Sequence, residues 1–195
     1  MYARALVAFI IALLFPSLPF AADGPSVAVT LFGQPCTLKG PTGSAGPSAI
    51  DKKSLEAIHA ISPAEMPPIQ SQQQAKTLLD RLQKATALPP ELKNYTDQFK
   101  SHVNAYITYF DAIAAAKKEK SAKVFLDQVQ PVLRARGAAR LKKLAQGFGK
   151  DITYGFLEEM NDAFSEATTP RPEAEFHRTI KRLGIHYSCS FEGGK

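Results

Sequence analysis

Two cysteines and four histidines are all that this chain of 195 residues contains. That scarcity excludes a four-thiolate zinc site and a mini-protein held by several bridges. The His-Glu-x-x-His pattern of zinc proteases and the Cys-x-x-Cys-His pattern of haem attachment are both missing. So is the Gly-x-Ser-x-Gly turn that exposes a nucleophilic serine. Lys39 precedes the glycine cluster around Gly40, Gly43 and Gly46, whereas a phosphate-binding loop needs its lysine after the last glycine. No segment repeats at 20–50 residues, which excludes a solenoid. Downstream of Phe15 no apolar run reaches the ~18 residues needed to span a membrane.

The N-terminus has the three parts of a secretory leader. Arg4 is the positive start, Ala5 to Phe15 is an uninterrupted apolar stretch, and Pro16 and Pro19 break it before the small pair Ala21-Ala22. Residues 1–22 are therefore expected to be a signal peptide, with no transmembrane anchor left after cleavage and a periplasmic or secreted product. Export gives the cysteines their meaning. In an oxidising compartment Cys36 and Cys189 are expected to pair. A bridge closing a loop of about 150 residues is worth roughly 5 kcal/mol by the loop-entropy argument.

Apart from the leader, about 170 residues remain, enough for one domain that buries roughly 70% of its unfolded surface. A composition 45% hydrophobic and 22% charged is that of a globular protein. Val27 to Phe32 is β-branched and reads as a strand running toward Cys36. Ile185, Tyr187, Cys189 and Phe191 alternate with polar residues, the period of a second strand. The two form a small ribbon carrying the bridge. Between them the period is helical. Asp51 and Ser71 stand where helix caps belong. Pro89-Pro90 opens a long helix to about Lys118, with Leu92, Tyr95, Phe99, Val103, Tyr106, Phe110 and Ile113 inward. A further stripe runs from Leu126 to Leu144, where Pro131 must kink the helix or mark its start. Two more helices follow, the last opened by Pro170 and Pro172 and ended by Gly184. The expected fold is a mostly α antiparallel bundle with a two-stranded β-ribbon. Residues 23–50 form its N-terminal strand and Gly/Pro/Ser-rich loop, 51–184 the bundle, and 185–195 the C-terminal strand and tail.

Charge is concentrated. Lys117 to Lys150 holds ten basic residues against Glu119 and Asp127. Arg136, Arg140 and Lys143 recur on one flank of the apolar stripe, a face suited to an anionic envelope component or an acidic protein. Nucleic acid is excluded by export. The competing reading is internal pairing with the acidic segment Asp151 to Glu166, in a hairpin that turns near Phe148 and brings residue 137 opposite about 159; each exposed pair is then worth at most ~1 kcal/mol. Glu158-Glu159 with Asp162 reads as a solvated acidic face, since adjacent residues diverge on a helix. Tyr95, Phe99, His102, Tyr106 and Tyr109 outline a second candidate, an aromatic ligand pocket between helices. Glu56 and His59 form a single Glu-x-x-His where a di-iron bundle needs two, so neither metal nor cofactor is expected. The functional expectation is an exported, non-enzymatic protein that binds a macromolecular partner. The alternatives are a small-ligand carrier and an enzyme whose site is scattered along the chain.

Overall fold

Asp51 and Ser71 each precede a segment whose apolar residues recur every three or four positions, and both cap a helix. In the computed structural model, which describes residues 24–43, 49–135, 137–150 and 152–189, the Asp51 carboxylate accepts from the Ser54 amide at 2.7 Å. It starts α1 (Lys52–Ala60), which buries Leu55 and Ile58. The Ser71 hydroxyl accepts from the Gln74 amide at 3.2 Å and starts α2 (Gln72–Lys84), with Ala75, Leu78 and Leu82 inward. These caps satisfy amides that have no intrahelical acceptor. Residues 1–22, expected to be a leader, lie outside the described residues, as do most of the Gly/Pro/Ser-rich loop and the C-terminal tail with Phe191.

Pro90–Leu92 makes one 3-10 turn and leads into α3 (Lys93–Glu119), the central rod of the molecule. Lys120 ends it in a left-handed conformation, φ 49°. Ser121 caps the following helix, α4 (Ala122–Val129), through the Val124 amide. Here the structure departs from the expected long helix. Pro131 lies in a single 3-10 turn, Gln130–Val132, and helical structure resumes only at α5 (Ala138–Ala145). A proline nitrogen cannot donate to the ladder and its ring clashes with the preceding turn, so the stripe is cut in two.

Gly137 is the second half of that break. Its φ is +86°, and a Cβ there would lie 3.1 Å from the Ala167 backbone nitrogen. Ala167 belongs to α6 (Tyr154–Ala167), capped by Thr153. Residue 137 therefore meets residues 166 and 167, not 159 as a turn at Phe148 requires. The connection includes a 3-10 turn at Gln146–Gly149 and extended backbone at Lys150, which displaces the hairpin register. The last helix is α7 (Glu173–Arg182), followed by Gly184 at φ 70°.

The ribbon carries one strand more than expected. β1 (Ser26–Leu31) and β2 (Gln34–Lys39) form a hairpin through Phe32-Gly33, both with positive φ, the two-residue turn that suits twisted strands. β3 (His186–Cys189) pairs antiparallel with β2, and Cys36 lies opposite Cys189. The two are bridged, with Cα atoms 4.1 Å apart. The pleat sends Cys36 and fully buried Leu38 to the same face, against the helices.

Bulky rings make the core continuous. Tyr95 meets Phe176 of α7 at 5.0 Å between ring centres, Tyr109 stacks on Phe164 of α6 at 4.3 Å, and Phe125 of α4 meets Phe148 at 5.2 Å. The long α3 thus anchors α4, α6 and α7 through aromatic side chains, whose contact energy exceeds their area burial.

Candidate functional site

Tyr106, Phe110, Ile113 and Lys117 fall four, three and four residues apart on α3, so they share one face. Phe110 and Ile113, expected inward, are only half-buried. Across from them α6 presents Tyr154, Glu158, Asn161, Asp162 and Ser165, also at helical spacing. The rings of Tyr106 and Tyr109 reach Phe164 at 5.3 and 4.3 Å and fill the space beneath. Above these rings runs a groove. Its larger part has a volume of about 880 Å³ and is walled by Tyr109, Phe110, Ile113, Leu157 and the α6 carboxylates. A smaller part, about 440 Å³, continues past His102 and Arg171. Gln70, from the segment leading into α2, joins Asn161 and Asp162 in bordering both parts.

The walls contain polar atoms the chain itself leaves without partners. Tyr109 is 1% exposed, yet its hydroxyl has no hydrogen-bond partner among the described residues. Burial pushes its pKa upward, so it stays a neutral phenol. Asn161 Oδ1 and Arg171 Nε are likewise buried and unpartnered. A polar atom removed from water without replacement costs about 1–3 kcal/mol.

His102 Nδ1 and the terminal nitrogens of Arg171 are committed within the chain. His102 Nδ1 lies 2.6 Å from the Thr169 carbonyl oxygen, so it carries the proton and donates it there. Burial first, and the neighbouring Arg171 charge further, lower the His102 pKa, and the ring is neutral near pH 7. Arg171 spans its guanidinium over the Phe99 ring at 5.3 Å, donates to the Met66 carbonyl and stands 3.5 Å from Glu173. His102, Ser165 and Asp162 border the same cleft, but among the described residues no hydrogen bond joins Ser165 to His102.

Of the five aromatic pocket residues read from the sequence, His102, Tyr106 and Tyr109 border the groove. Tyr95 and Phe99 lie deeper, in filled core; the Tyr95 hydroxyl donates to the Ile61 carbonyl at 2.7 Å. The basic flank is arranged differently. Arg140 stands 2.6 Å from Glu166 across the α5–α6 hairpin, with both side chains about half exposed. Lys143 is exposed, and Arg136 lies outside the described residues. His59 faces Glu65 at 3.8 Å, and among the described residues no group of three or more His, Cys, Asp or Glu is placed to hold a metal ion.

The α6 wall is not legible as part of a site in the sequence. Its carboxylates looked like a solvated face because the helical spacing shows which residues share a side but not what that side confronts. Asn161, Arg171 and Gln70 carry no sequence signal at all. No protein-family model, curated protein or solved structure matches the chain.

Proposed function

We propose that the chain is an exported, non-enzymatic protein that seats a segment of a partner protein in the groove between α3 and α6. The observation that carries the reading is Tyr109, a nearly inaccessible phenol in the groove wall with nothing in its own chain to bond. Such a group is destabilising in the free protein, and a segment that parts the wall far enough to reach the hydroxyl recovers that cost. The leader read at residues 1–22 and the Cys36–Cys189 bridge support export.

The test uses a photo-crosslinking phenylalanine analogue placed either at Ile113, in the groove, or at Lys143, on the exposed basic flank. Illumination in the native envelope fraction is expected to give a discrete protein adduct from position 113 and none from 143. An adduct from 143 alone assigns binding to the basic flank and overturns the groove; adducts from neither position overturn a protein-binding role.

A further inference from the structure

Resting on the groove reading, we infer that the bound segment is cationic: an extended stretch of chain in which Lys or Arg side chains alternate with apolar ones. The α6 wall carries Glu158, Glu159 and Asp162, all exposed, and no salt bridge engages them among the described residues. Asn161 Oδ1, on the same helix and bordering the groove, is a buried acceptor without a donor. Tyr109 adds the second, independent sign of a missing occupant, since its hydroxyl is buried and unpartnered on the α3 side of the same groove. Carboxylates and an orphan carbonyl oxygen call for a ligand that donates, as an ammonium or guanidinium does, while the unpartnered Arg171 Nε in the smaller part calls for an acceptor, which the backbone carbonyls of the same extended segment supply.

The floor selects the rest of the ligand. Tyr109, Phe110, Ile113 and Leu157 offer rings and aliphatic carbon to the stems of Lys or Arg, whose charged heads then reach the carboxylates at the rim. Size argues for an extended segment. The larger part alone, about 880 Å³, is near the top of the roughly 300–1,000 Å³ range of small-molecule sites, and the smaller part lengthens it. Charge separation within the molecule sharpens the selection. The chain as a whole is +6, and its basic stretch reaches the larger part of the groove only through Lys117, at the end of α3, whereas the α6 wall carries three carboxylates.

Fluorescence anisotropy of the purified, disulfide-intact protein tests the inference with a labelled nonapeptide of alternating Arg and Leu, the matching Glu/Leu peptide, and spermidine as competitor. The Arg/Leu peptide is expected to bind, more weakly as salt rises, and the Glu/Leu peptide not to bind. Neutralising the wall (Glu158→Gln, Glu159→Gln, Asp162→Asn) is expected to weaken binding at least tenfold. An equal change of net charge elsewhere (Asp97→Asn, Glu119→Gln, Asp127→Asn) is expected to change it less than twofold. Circular dichroism checks that both variants keep their helix content, and Glu158→Lys with Asp162→Lys is expected to gain affinity for the Glu/Leu peptide. Equal losses in the two neutralised variants, binding of the Glu/Leu peptide by the native protein, or displacement by equimolar spermidine each overturn the inference. Concentration-dependent dimerisation lost in the neutralised wall overturns it too, by making a second copy the occupant. A native partner that still crosslinks from position 113 after the wall is neutralised would leave the groove standing and remove only its cationic occupant.

Discussion

Tyr109 and His102 sit two turns apart on α3 and respond to burial in opposite ways. The phenol has lost water and gained nothing, so replacing it should help the free protein: Tyr109→Phe is expected to raise stability by about 1 kcal/mol. For a domain of this size that is a rise in Tm of about 2–4 °C, read by calorimetry, and a fall would mean the hydroxyl has a partner in the chain. His102 is held neutral by burial, its pKa below the ordinary 6.5. The unfolded chain therefore binds a proton that the native ring refuses, and stability declines as pH drops below about 6.5 toward the lowered native value. His102→Gln is expected to flatten that limb of the stability profile in urea unfolding between pH 7 and 5; an unchanged slope would assign the loss to other groups. Both residues were visible in the sequence as part of an aromatic stripe. Which atom lacked a partner was not, because that depends on what α6 and the Thr169 backbone bring up to them.

At the scale of the element, the boundaries that held are those with a local cause. Asp51, Ser71, Pro89-Pro90 and Gly184 act within one turn of their own position, and helices begin or end at each. Pro131 was also legible, but its effect was larger than a kink because Gly137 lies six residues on. Gly137 occupies left-handed backbone and lies against Ala167. Gly137→Ala is expected to lower stability by about 2 kcal/mol or more, since left-handed backbone alone costs a side chain about 1–2 kcal/mol and the contact adds to it. Gly149→Ala, where a Cβ meets nothing within 4 Å, is expected to be close to neutral. Equal midpoints for Gly137→Ala and the native protein in urea would contradict the structural role given to the break. The β1–β2 hairpin was missed for a related reason. Its turn places Phe32, 88% exposed, in a conformation ordinarily left to Gly, Asn or Asp, so the usual composition signal is half absent.

Over the whole molecule, the bridge joins residues 153 positions apart and ties the N-terminal hairpin to the strand that follows the last helix. Cys36→Ser with Cys189→Ser is expected to cost up to about 5 kcal/mol, seen as a lower denaturation midpoint. A loss below about 1 kcal/mol would show that helix packing alone restrains the ends. A mostly helical fold, the pairing of two lone cysteines and the caps followed from composition, period and local stereochemistry, because each acts over a few residues or, for the cysteines, admits a single intramolecular pairing. The groove did not. Its two walls lie some 45 residues apart on α3 and α6, its lip precedes α2, and the hairpin register that sets Arg140 against Glu166 depends on how many residues the connection takes up. Amino-acid order dictates which side of a helix is greasy and which is charged; only the packing of one helix against another decides whether a charged side meets water, a counter-ion or a cleft.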